Sequence, residues 1–222
     1  MGGGRATWAD GSGRLLWAVQ HLVVDGVSWR ILFEALQSAY QQIVQGQTVR
    51  LPAKTSAYQT WAAQLQAHAQ SPLLLQELEG WQQRLRGAPE GVPCKNLAAS
   101  QEKRHAVSVY TVLDKDLTSQ LLQRAPAAYR TQVNDLLLTA LAQVLARWTA
   151  HEHVLVQLEG HGREDLFDSV DLTRTVGWFT SLFPVKLSPA SSLEHSLKRI
   201  KEQLRAIPDK GVGFGALRYL AD

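Results

Sequence analysis

"RLLWAVQHLVVDGVSWRIL", residues 14–32, carries the signature of a strand, a tight turn and a helix in succession. The apolar run to Val24 reads as a buried strand that ends at Asp25-Gly26, a turn dipeptide. Trp29, Leu32, Leu36, Tyr40 and Ile43 then recur at helical spacing, and Gly46 closes that helix. This reading delivers His21 to the C-terminal end of a strand. A neutral imidazole there accepts a proton near neutral pH, and its conjugate acid returns one. Asp25 can hydrogen-bond it, or pair with an arginine and brace the turn, and Gly26 permits backbone angles a side chain forbids. For an isolated His-x-x-x-Asp-Gly, a hydrogen-bonded histidine beside a turn is the favoured reading, and the pattern alone is a weak signal.

The pattern continues outward as alternating strands and helices. A second helix is predicted over about 56–69, with Tyr58, Trp61 and Leu65 on one face. A third follows Ser71-Pro72, an N-cap and first-turn pair, with a stripe of Leu74, Leu78, Trp81 and Leu85. Residues 87–104, "GAPEGVPCKNLAASQEKR", lose all periodicity and read as a linker or crossover. "HAVSVYTVL" (105–113) alternates like a strand. Helices are predicted at about 114–124 and 131–149, the latter with a broad apolar face of Val133, Leu136, Leu137, Ala140, Leu141, Val144, Leu145 and Trp148. "HVLVQLEG" (153–160) and "SLFPVKL" (181–187) read as strands, and 192–205 as a helix. The class is α/β or α+β.

Composition narrows the function classes. The chain has 222 residues, 45% hydrophobic, enough for one large domain or two small ones with real cores. No stretch approaches the ~20 apolar residues of a membrane helix, and the N-terminus lacks a secretory pattern. A single cysteine, Cys94, excludes an internal disulfide and a cysteine zinc cage, and fits a cytoplasmic address. The net charge of +3 comes from scattered residues and gives no nucleic-acid footprint. Met1 followed by three glycines reads as a start placed just ahead of a domain fragment.

Beyond His21, two stretches could carry chemistry. "LEGHGRE" (158–164) sets Glu159 directly after an apolar strand, where an unpaired carboxylate is costly or its pKa is raised. Gly160 and Gly162 allow a sharp bend or a close ligand, and Arg163 and Glu164 can orient neighbours; a polar turn with surface charges is the alternative. "RTVGWFTSLFPV" (174–185) puts Gly177 before Trp178 and Phe179, as if aromatic walls flanked a gap that admits a thin ligand or merely packs. "PDKGVGFG" (208–215) suits a flexible loop or a close backbone approach. It lacks the Gly-Lys-Ser/Thr end of a phosphate loop and the spacing of a dinucleotide fold. His151, His153 and His161 lack a carboxylate at ligand spacing, so no metal site is expected.

Taken together and in order, "HLVVDGVSWRIL" (21–32), "NDLLLTAL" (134–141), "EGHGRE" (159–164), "RTVGWFTSLFPV" (174–185) and "PDKGVGFG" (208–215) resemble the epimerization domains of nonribosomal peptide synthetases, a branch of the condensation-domain superfamily. The resemblance runs from about residue 14 to the end. It implies a partial chloramphenicol-acetyltransferase-like fold of two α/β lobes: residues 1–86 as the late part of the N-terminal lobe, 87–104 as crossover, 105–222 as the early part of the C-terminal lobe. It implies a cofactor-independent isomerase of antibiotic biosynthesis that inverts the α-carbon of an L-aminoacyl or peptidyl thioester. The substrate hangs on the 4'-phosphopantetheine arm of a peptidyl carrier domain, with other synthetase domains adjacent. His21 and Glu159 would be the acid–base pair. Gln20, Trp29, His161, Gly177, Trp178 and Phe179 would line the tunnel. Asp25 would be structural and paired with an arginine, Arg130 or Arg163. Family members carry a further hundred residues or so before the histidine motif and a block with an Asn-Tyr motif after the glycine-rich segment. Gln20 stands where the family has a first histidine. The other readings are a non-catalytic remnant, a carrier-docking module, and an amide-forming condensation domain; "EGHGRE" and "RTVGWFT" argue against the last.

Overall fold

The computed structural model describes residues 2–7, 12–89, 91–93 and 102–221. Cys94 and half of the expected linker fall outside them. In chain order the elements are β1 (Gly2–Thr7), β2 (Gly13–Ala18), α1 (Gly26–Val44), α2 (Tyr58–Ala69), α3 (Pro72–Leu75), α4 (Glu77–Leu85), α5 (Lys115–Ser119), α6 (Ala125–Tyr129), α7 (Val133–Thr149), β3 (Val154–Gly160), β4 (Ser181–Leu187), α8 (Leu193–Arg205) and α9 (Val212–Tyr219). The mixed α/β class expected from the sequence is the class observed. β1 and β2 form an antiparallel pair, with Gly4 opposite Leu16, and β3 pairs with β4.

The chain packs as two compact units, each assembled from separated stretches. One comprises Met1–Leu78, Glu159–Phe183 and Asp209–Asp222; the other comprises Glu79–Leu158 and Pro184–Pro208. β3 and β4 each change unit along their length, and no composition signal marks such a crossing.

In the first unit, Trp61 of α2 packs with Leu172 and Phe179, backed by Ala62, Leu65, Phe167 and Val170. Ala69, Leu74 and Ala216 form a second cluster where α2 and α3 meet α9. Ser71 caps α3 by accepting from the Leu74 N–H, as expected from Ser-Pro. The predicted third helix is nevertheless two, because the chain breaks between α3 and α4. Leu74 and Trp81 are buried, but Leu78 between them is exposed.

In the second unit α7 packs on α8. α8 buries Ser196, Leu197 and Ile200 and is capped by Ser192. α7 buries Asp135, Leu138, Thr139 and Ala142. The face predicted for burial is instead the outer one, with Leu137, Leu141, Val144 and Trp148 exposed. The buried side mixes Leu138 and Ala142 with Asp135 and Thr139, so periodicity alone points to the more apolar outer side. A Gln132–Asp135 capping box starts α7.

Two expected strands are corrected. Residues 105–113 form no strand; Val107, Val109, Tyr110 and Val112 are 86–93% exposed. Alternation creates a sheet face only when a neighbour supplies the ladder, and no described segment pairs there. β2 ends at Ala18, before His21, and is exposed rather than buried (Leu15 59%, Leu16 72%). Its one described neighbour is β1, and a two-stranded pair shields little apolar surface.

Candidate functional site

Asp25, Gly26, Arg163, Gly177 and Phe179 come together in the first unit around the start of α1. His21 opens a short 3-10 turn, His21–Val23, and the chain is extended again at Val24. Val24 and Asp25 are the first buried residues of this stretch. Asp25 caps α1, its Oδ1 accepting from the Ser28 N–H at 2.7 Å. Gly26 is the first residue of the helix; its φ is not left-handed and a Cβ there would meet nothing, so the expected need for glycine does not arise from this backbone.

Arg163 crosses to this cap. Its Nη2 donates to both Asp25 oxygens, at 3.1 and 3.2 Å, and to Ser28 Oγ at 3.0 Å. Its Nη1 donates to the carbonyls of Leu172 and Thr175. The guanidinium lies 4.1 Å from the Phe179 ring centroid. Both charged side chains are under 10% exposed. Ser28, fully buried, donates to Gly177 O at 2.9 Å and accepts from Gly177 N at 3.0 Å. Phe179 N donates to Asp25 Oδ2. One polar network thus ties the α1 cap to the turn after β3 and to the 172–179 loop. Burial is the largest influence on the Asp25 carboxyl and opposes its charge. Hydrogen bonds from Ser28 and the Arg163 guanidinium outweigh it and hold the pKa below 3.8. Of the two arginines considered for Asp25, Arg163 is the partner. Arg130 caps α6 in a left-handed conformation, in the second unit.

His21 itself is exposed, and its ring meets Trp178 edge-on at 5.3 Å. Trp178 is held by its backbone carbonyl, which accepts from Tyr58 Oη at 3.0 Å. Glu159 is the penultimate residue of β3 and is exposed, so it does not carry the cost of an unpaired buried carboxylate. Among the described residues no hydrogen bond, ion pair or ring contact joins His21 to Glu159. Gln20 is exposed and its carbonyl accepts from Val23 N. Trp29 stacks on Phe33 and meets Trp17 edge-on. His161 Nδ1 accepts from Arg163 N at 3.0 Å, and its Nε2 lies 3.1 Å from Glu164 Oε1. Lys210 reaches the other Glu164 oxygen at 2.9 Å. No group of three or more metal-ligating side chains gathers among the described residues. No described helix is long and apolar enough to cross a membrane.

The glycines of these motifs serve close packing. A Cβ on Gly162, whose φ is +67°, would overlap the Phe179 carbonyl; one on Gly211, at +83°, would overlap the Phe183 ring. The gap expected at Gly177 is filled by the Tyr58 ring, and Phe179 is core rather than lining. "PDKGVGFG" is a short turn running into a helix, with Gly213 and Gly215 inside α9; the close approach expected there is seen at Gly213, which lets α9 approach Leu74. Sequence reasoning missed Ser28, Tyr58 and the Ser56–Thr175 contact, in which Thr175 Oγ1 donates to Ser56 O at 2.6 Å. Asp25 ahead of an apolar helix is a legible N-cap, but nothing in it marks the Ser28 hydroxyl that reaches Gly177. No local pattern marks Tyr58.

This scaffold and its motifs define a condensation domain: the condensation-domain family model matches residues 4–222, and the chain belongs to that family. The chain is 49% identical over 218 residues to a linear gramicidin synthase of Brevibacillus parabrevis, covering 96% of this chain and 3% of that protein. It is 43% identical over 216 residues to bacitracin synthase 1 of Bacillus licheniformis, covering 96% and 4%. Among solved structures, the epimerization domain from the third module of tyrocidine synthetase B matches with a TM-score of 0.88 and 42% identity, over 96% of this chain and 49% of that one. The first condensation domain of the calcium-dependent antibiotic synthetase matches with a TM-score of 0.73 and 20% identity, over 95% and 46%, which shows the shared fold. The chain therefore spans about half of the solved epimerization domain and a few per cent of these curated relatives.

Proposed function

We propose that this chain belongs to an epimerization domain of a nonribosomal peptide synthetase, and that it carries the acid–base pair that inverts the α-carbon of an aminoacyl or peptidyl thioester. The observation that carries the reading is the 42% identity to a solved epimerization domain across 96% of the chain, against 20% for a condensation domain of the same fold.

The chemistry needs little beyond what the first unit offers. A thioester acidifies its α-carbon more than an amide does, so a positioned base can act without a metal or pyridoxal. One group of the pair His21 and Glu159 takes the α-proton, and the electron pair moves onto the carbonyl oxygen as an enolate. The other group returns a proton to the opposite face of the carbon, and the carbonyl reforms. The roles exchange in the reverse direction. The Asp25–Arg163–Ser28 network fixes the backbone on which Trp178 is mounted, and Trp178 supports the His21 ring. The substrate would arrive on the 4'-phosphopantetheine of a peptidyl carrier domain, within a synthetase like those of the relatives.

The test is loss of α-deuterium to water from a carrier-bound, α-deuterated aminoacyl thioester, read by mass spectrometry with the chain in its native polypeptide. Washout by the unmodified protein supports the reading, and its absence overturns it. Full washout by His21→Ala and Glu159→Gln would show that the proton moves through other groups.

A further inference from the structure

We propose that the second unit holds a binding pocket for an amphiphilic organic anion, a phosphate or carboxylate head on an apolar body, centred on Arg199 and His153. This is independent of the epimerase reading. Arg147 in the last turn of α7, Glu152 and His153 ahead of β3, the Pro189–Ser191 connection and Arg199 on α8 line a cavity of about 690 Å³. A second cavity of about 390 Å³ shares His153 and Arg199 and adds Arg84 and Lys186. Its wall includes Trp81, Leu85 and Ile207.

Charge sets the ligand class. The two linings bring Arg84, Arg147, Lys186 and Arg199 together with one carboxylate, Glu152. Three of these cations spend a donor on a backbone carbonyl: Arg84 on Ala206, Arg147 on Gln143, Lys186 on Arg86. None of the four forms an ion pair among the described residues, although Lys198 and Arg205 of the same α8 helix do, with Glu194 and Glu202. The Arg199 side chain makes no hydrogen bond among the described residues either, so all the guanidinium donors are available. His153 supplies the second, independent sign. Its Nδ1 is buried with no hydrogen-bond partner, a condition that native interiors generally avoid. A ligand oxygen or hydroxyl at the shared part of the lining would satisfy both groups. The apolar wall beside the cationic rim is the arrangement of small-molecule sites that bury a body and orient a polar head.

The experiment titrates the full chain with phenyl phosphate, following the side-chain nitrogen resonances of His153 and Arg199 by NMR. Inorganic phosphate and benzyl alcohol serve as head-only and body-only probes. Phenyl phosphate should shift both resonances saturably, inorganic phosphate should do so more weakly, and benzyl alcohol should not. Arg199→Gln, an exposed change that the fold tolerates, should weaken phenyl phosphate about tenfold or more. Lys201→Gln, which removes the same charge from the same helix, should leave it unchanged. The proposal is overturned if phenyl phosphate does not saturate, if benzyl alcohol binds equally well, or if the two variants weaken binding alike. Inorganic phosphate binding as tightly as phenyl phosphate would overturn the amphiphilic assignment.

Discussion

Breaking the Asp25–Arg163 pair should be among the most costly single changes in the first unit. Both side chains are under 10% exposed, so either one left alone is a buried charge. Asp25→Asn keeps an acceptor for the Ser28 N–H but strands the guanidinium among neutral acceptors, at about 3–5 kcal/mol. Arg163→Met strands the carboxylate and also removes the donor to the Leu172 and Thr175 carbonyls, each about 1–3 kcal/mol if left unsatisfied. It should therefore cost more than Asp25→Asn. Against a total stability of roughly 5–15 kcal/mol, either change should shift the urea midpoint markedly. The double variant strands neither charge, so it should be more stable than the sum of the singles predicts, by about 0.5–3 kcal/mol. Tryptophan fluorescence in urea follows all four proteins. A cost for Asp25→Asn below about 1 kcal/mol, the range of exposed pairs, or additivity within about 0.5 kcal/mol, would refute the reasoning.

The pH dependence of stability follows from the same pair: the Asp25 pKa is lowered on folding, so the unfolded chain binds the proton more readily, and the contribution is complete above 3.8 and lost as pH falls through the folded value. Asp25→Asn should flatten that acid limb; an unchanged limb would remove Asp25 from the account. His21→Ala touches an exposed ring and should change stability by no more than about 0.5 kcal/mol, while lowering α-deuterium washout by about 10²–10⁴-fold, a split that a structural histidine would not show. Gly162→Ala combines a left-handed backbone with overlap on the Phe179 carbonyl, so soluble folded protein should fall sharply in circular dichroism and yield; a native-like variant would contradict the packing described. Ser71→Ala removes the acceptor for Leu74 N and should cost about 1 kcal/mol in urea melts, with a null result assigning the α3 start to Pro72 alone.

Local chemistry was legible from the chain alone wherever neighbours in sequence are neighbours in space. Ser71-Pro72 starts a helix, Gly46 ends one, and residues 181–187 and 153–160 mark β4 and β3 because these signals act over a few residues. The ordered motifs also identified the family. What the chain could not disclose was which apolar surfaces find a partner. Alternation at 105–113 promised a strand and the run at 14–24 a buried one, yet hydrogen-bond ladders and burial are supplied by other segments. The buried face of α7 is the more polar of its two, and only packing on α8 decides between them. Arg163 over Arg130 as the partner of Asp25, Tyr58 filling the space at Gly177, and Ser28 bridging to a residue 149 positions away are likewise settlements between distant stretches. Those contacts exist only after folding, because spacing along a chain carries no measure of distance through space.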